Sequence, residues 1–69
     1  MMLKKLWVIK DLQNETPYKR ANVLASSKEQ AIVLFLMAAD PEKYPDEITA
    51  RKYKDSCSAT AVLNVYVDN

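Results

Sequence analysis

An apolar run of nine residues, Ala31 to Ala39, lies near the middle of this 69-residue chain and constrains its fold more than any other stretch. Ser26-Ser27-Lys28-Glu29-Gln30 precedes the run and Asp40-Pro41 closes it. Ser26 with Glu29 three residues later forms a capping box, each side chain serving an orphan backbone donor of a first helical turn. Ser27 with Gln30 offers the same pairing one residue on. Pro41 cannot continue a helical ladder and biases Asp40 away from helical dihedrals. The spacing therefore predicts a helix over 26–39. At 100° per residue, Ala31, Leu34, Phe35 and Ala38 share a core face, with Ile32 and Ala39 on its shoulder. Val33, Leu36 and Met37 fall on the opposite side, where a surface helix would be polar. Such a surplus face needs a cover, either another molecule or the Pro41–Pro45 segment folding back with Tyr44.

A chain this short forms one compact domain, 1–69, and buries only about 60% of its unfolded surface. Small cores are commonly supplemented by disulfides, a metal or oligomerisation. One cysteine forms no intrachain disulfide, and a chain without histidine lacks the nitrogen and sulfur ligands of structural zinc. Oligomerisation, or docking on a larger protein, is the supplement left. The apolar run is far shorter than the roughly 20 residues that span a bilayer. Leu6 to Ile9 is likewise too short for the apolar core of a signal peptide. The expectation is a cytoplasmic protein with no membrane association.

On either side of the helix the chain reads as strands. Leu3 to Leu12 carries Leu6-Trp7-Val8-Ile9, apolar on both faces as in a central strand. Gln13 to Pro17 is a polar turn, and Tyr18 to Ala25 is a second strand with small residues Ala21, Val23 and Ala25 on one face. Asp40 to Tyr44 suits a single turn, with Asp40 as its cap and Pro41 at its first position. Glu47 to Lys54 alternates Ile48 and Ala50 against Thr49, Arg51 and Tyr53, and reads as a charged edge strand. Ala59 to Val67 is the last strand, with Ala61, Leu63, Val65 and Val67 on one face. The expected class is α+β, in the order ββαββ. With the two most apolar strands central, the four-stranded mixed sheet has order 2-1-4-3, and the helix packs on one face. That order resembles the β-grasp arrangement of the immunoglobulin-binding domains of streptococcal protein G. The likeness is one of element order alone, which implies no function.

Catalytic constellations are scarce. Cys57 has no histidine to activate it and reads as an incidental surface thiol in a turn. Asp40, Glu42, Asp46 and Glu47 flank two prolines as a solvated acidic loop, without the glycine of a calcium loop. A chain with no glycine has no Gly-rich phosphate cradle. No enzyme activity and no cofactor are expected.

Two candidate partner-binding surfaces follow. One is the helix back face, Val33, Leu36 and Met37. The other is the sheet face away from the helix, on which Trp7, Ile9, Arg51, Tyr53 and Tyr66 are expected beside Arg20 and Leu24. Aromatic and arginine side chains mark protein interfaces, and on a sheet they also stack single-stranded bases. A net charge of +1 and the aliphatic neighbours favour protein over nucleic acid, whose binding is dominated by charge. The charge is unevenly spread, with six Lys/Arg against two acids over 1–28 and five acids against Lys43 over 29–50. The functional expectation is a small interaction module: a homodimer, or a phage- or mobile-element-type binder or inhibitor of a larger protein. Single-stranded nucleic-acid binding is the alternative.

Overall fold

In the computed structural model, which describes residues 2–68, the central helix is covered from two sides. Strands β1 (Met2–Asp11) and β2 (Arg20–Ala25) precede helix α1 (Lys28–Ala39). A short helix α2 (Glu47–Arg51) and a 3-10 turn (Lys54–Ser56) lead into strand β3 (Cys57–Val67). The class is α+β, but the sheet has three strands in the order β2-β1-β3, each pair antiparallel. The predicted four-stranded mixed sheet and its β-grasp order are thus not found.

The difference comes from residues 47–54. Asp46 caps α2, its carboxylate accepting from Thr49 N at 2.7 Å. Glu47 sits in the first turn and Arg51 in the last, where each suits the helix dipole. The alternation of Ile48 and Ala50 suggested a strand, which would have put both on one face. Residues two apart on a helix point about 200° apart. Ile48 is accordingly 71% exposed while Ala50 is fully buried.

Helix α1 starts one cap later than its first capping signal. Ser27, not Ser26, is the N-cap, and its Oγ accepts from Gln30 N at 3.2 Å. The Gln30 side chain reaches back to accept from Ser26 N at 3.0 Å and Ser26 Oγ at 2.7 Å. Glu29 is thereby freed for an ion pair with Arg51 Nε at 2.7 Å, which ties α1 to α2. At the other end Asp40 N donates to Leu36 O, and Asp40 Oδ1 accepts from Lys43 N in the next turn.

The buried residues of α1 are Ala31, Ile32, Val33, Phe35 and Leu36, an arc of about 200°. The sheet covers one part of it, and Tyr44 and Ala50, both fully buried, belong to the same core. Leu34 and Ala38, predicted as core, are exposed instead. Both lie outside the buried arc of the helix.

Register sets the faces of the sheet. Ile9 lies opposite Ala21 on one side and Ala59 on the other, and Trp7 opposite Val23 and Ala61. Directly opposed residues share a face. The two bulky central side chains thus sit under the helix, each with small neighbours that leave them room. The sequence reading placed Trp7 and Ile9 outward; the four-residue apolar run carries no phase of its own, and the small residues of the flanking strands decide it. Trp7 Nε1 donates to Ala25 O at 3.0 Å, so its one polar group is satisfied. A bulge lies where Leu6 pairs with Leu63 but Trp7 with Ala61, leaving Val62 as the extra residue. Beyond it the alternation of β3 flips, which separates Ala61 from Leu63, Val65 and Val67.

These placements distinguish two leucines. A 69-residue domain has a total stability of about 3–10 kcal/mol. Leu36→Ala should remove about 2–5 kcal/mol of it, since Leu36 is fully buried. Leu34→Ala should cost less than about 1 kcal/mol, because Leu34 is 38% exposed. Urea denaturation of both variants tests this, and a larger loss at Leu34 would contradict the two-sided burial of α1.

Candidate interaction surface

The back face of α1 is closed from within. Val33 and Leu36 are buried, and Met37 is half-buried against the core. Tyr44 covers this side and is held by its neighbours. Its ring meets Tyr53 edge-on, with centroids 5.2 Å apart. Its hydroxyl, whose pKa burial raises, donates to Glu15 Oε2 at 3.4 Å. Lys43 pairs with the same carboxylate and stands 5.4 Å from the centroids of both tyrosine rings. The hydrogen bond to Glu15 raises the Lys43 pKa. Glu15 thus ties the β1–β2 loop to the segment that caps the core.

That loop is organised by one carboxylate. Asp11 Oδ1 accepts from Gln13 N at 3.3 Å and Glu15 N at 3.1 Å. Asp11 Oδ2 accepts from Thr16 N at 2.8 Å and Thr16 Oγ1 at 2.9 Å. Asn14 takes the one positive φ among the described residues, 54°, which asparagine tolerates better than most residues. A tight loop without glycine is achieved by these two residues.

Among the groups weighed for chemistry, Cys57, Asp40, Asp46 and Glu47 each have a structural partner. Cys57 is buried at the start of β3, not exposed in a turn, with Ser56 Oγ 3.5 Å from its sulfur. Burial pushes its pKa up, so the thiol stays protonated near neutral pH. Asp40 and Asp46 cap backbone turns, and Glu47 lies 3.8 Å from Arg51. A cleft of about 520 Å³ lies between the start of α1 and α2. The Glu29–Arg51 ion pair crosses it.

The residues expected to share an open sheet face are dispersed. Trp7 and Ile9 face the helix, while Arg51 lies on α2 and Tyr53 just beyond it. Tyr66 is exposed near the end of β3, on the helix side of the sheet beside Leu3. Arg20 and Leu24 do lie on the face away from the helix, in line with Lys10 and Leu6.

That face carries a different set of side chains. Leu24, Leu6 and Leu63 form one row across the three strands. Asn22, Val8 and Thr60 form the next row, and Arg20, Lys10 and Ser58 the one beyond. On the other side of the leucines, Lys4 pairs with Val65 and Met2 with Val67. No described element packs over these rows, and no acidic residue stands in them. Leu24 and Leu63 are 38% and 58% exposed. The sequence signal for this face lay in Ala21, Val23 and Ala25: once they turn inward, their register partners Trp7 and Ile9 turn inward too, and Leu6 and Val8 outward.

No helix among the described residues is long and apolar enough to cross a membrane. Comparison with protein-family models, curated proteins and solved structures finds no match to this chain.

Asp11 has a measurable signature. Burial acts to raise its pKa, but the hydrogen bonds from Glu15, Thr16 and Gln13 together hold it below the ordinary 3.8. The unfolded chain then takes up the proton first, so this contribution is complete above about pH 5 and lost as pH falls through the folded value. Asp11→Asn should lose about 1–3 kcal/mol near pH 7 and show a flatter decline in stability below about pH 4. Urea melts across that range test both; an unchanged acid slope would contradict the role given to Asp11.

Proposed function

We propose that this chain is a small non-catalytic protein-interaction module that works as a homo-oligomer, meeting its second copy on the sheet side of the molecule. The observation that carries this reading is the uncovered leucine row of Leu24, Leu6 and Leu63. The helix back face is occupied from within, and the leucine row is the apolar surface that the sheet offers to a second molecule. A domain this small gains from such burial, because its own core is limited. Lys4, Lys10 and Arg20 stand on the same face without acidic neighbours, while the acids of 29–50 follow in α1, α2 and their connection. The non-catalytic part of the reading is supported by the structural uses of Asp11, Asp40 and Asp46 and by the buried, protonated thiol of Cys57.

Sedimentation velocity from micromolar to millimolar concentration tests it. The expected result is a concentration-dependent species of twice the 7.9 kDa chain mass. A monomer at every concentration would contradict self-association. A parallel titration with labelled single-stranded oligonucleotide at low salt should show no binding. Tight binding with a steep salt dependence would instead select the nucleic-acid reading.

A further inference from the structure

The two edges of the sheet are built differently. The β2 edge is six residues long, opens on Arg20 and follows Pro17, Tyr18 and Lys19. It is short and charged at its start, as edges that avoid pairing are. The β3 edge runs for eleven residues, Cys57–Val67, without a charge, a proline or a glycine. A long uncharged edge exposes unpaired backbone donors and acceptors to another strand. The bulge at Val62 divides it. The half before the bulge is partly shielded, with Cys57 buried and Ser58 and Ala59 half-buried. The half after it is open, with Leu63 58% and Tyr66 69% exposed.

We propose that Leu63–Val67 of β3 pairs antiparallel with the same segment of a second copy, about a two-fold axis through Val65, to give one six-stranded sheet. The proposal rests on the self-association reading above and places the contact at the Leu63 end of the leucine row. Edge pairing adds apolar cross-strand neighbours there, while Leu6 and Leu24 stay on the open face. In this register Leu63 lies opposite Val67 of the second copy and Val65 opposite itself, all on the face of the leucine row. Asn64 lies opposite Tyr66 of the second copy on the other face. Like charges are not forced together. Lys4 and Lys5 on β1 are separated from their counterparts by both β3 strands, roughly 14 Å at a spacing of about 4.8 Å, beyond a Debye length of about 8 Å. The assembly also closes. The pairing is isologous, and it leaves outward the two short β2 edges, which do not invite a further copy, and the Cys57–Val62 part of each β3, whose start is partly shielded.

Asn64 and Tyr66 are both exposed, so charges can be placed there without disturbing the core. Glutamate suits position 64, because its neighbour on β1 is Lys5. Asn64→Glu combined with Tyr66→Glu sets like charges opposite each other twice across the axis. Asn64→Glu combined with Tyr66→Lys sets opposite charges there twice. Sedimentation velocity at one concentration where the wild type is dimeric reads the outcome. The expected result is a dimer dissociation constant raised at least about tenfold in the first variant and restored to within about threefold in the second. Restoration also shows that the substitutions leave the fold intact. A wild-type dimer that both variants preserve, or both lose while circular dichroism shows a folded chain, overturns edge pairing and leaves self-association standing. A wild type that stays monomeric removes both.

Discussion

Helix α1 has no continuous polar side, and a single sheet cannot bury an arc of about 200°. The chain after Asp40 therefore has to return over the helix and supply a second wall. Tyr44 and Ala50 are that wall, and among the described residues most of the long-range side-chain polar contacts serve to hold it. Arg51 reaches Glu29 on the helix, while Lys43 and Tyr44 reach Glu15 in the β1–β2 loop. Exposed ion pairs contribute little individually. Here they fix the position of a segment whose stabilising effect comes from the apolar surface that it covers.

This requirement also explains which parts of the fold were legible in the sequence. Helix α1, its stop at Asp40-Pro41 and the strands around Trp7, Val23 and Val65 were readable from capping and apolar pattern. The surplus face of Val33, Leu36 and Met37 was readable too, and so was Tyr44 as one of its two possible covers. What misled was local ambiguity. Ile48 and Ala50 alternate as a strand would, yet Asp46, Glu47, Thr49 and Arg51 carry the start and stop signals of a short helix. Four apolar residues in a row on β1 have no phase, and a one-residue choice exchanges the faces. The bulge at Val62 has no marker in the sequence, and it divides a face that pure alternation would keep together.

The candidate surface was legible only where phase did not matter. Arg20 and Leu24 were placed on the open face from the small residues that alternate with them on β2. Trp7, with its indole N–H bonded to Ala25, packs against the core on the helix side, so the aromatic platform expected beside it does not form. In its place stands an aliphatic row edged by Lys4, Lys10 and Arg20. The two sides of the molecule thus differ in kind: one has acids, caps and ion pairs, and the other exposed aliphatic side chains and an uncharged strand edge.

The central claim is that the Tyr44–Ala50 layer and α1 belong to one cooperative unit. Native-state hydrogen exchange tests it most directly, through amides bonded within each part. Tyr44 N donates to Asp40 O and Ala50 N to Asp46 O, while the amides of Val33 to Leu36 lie inside α1. The account predicts that Tyr44 and Ala50 exchange with nearly the same opening free energy as Leu36, within about 1 kcal/mol of global unfolding. If Tyr44 and Ala50 exchange freely while α1 stays protected, the second wall is not part of the core and the account is wrong.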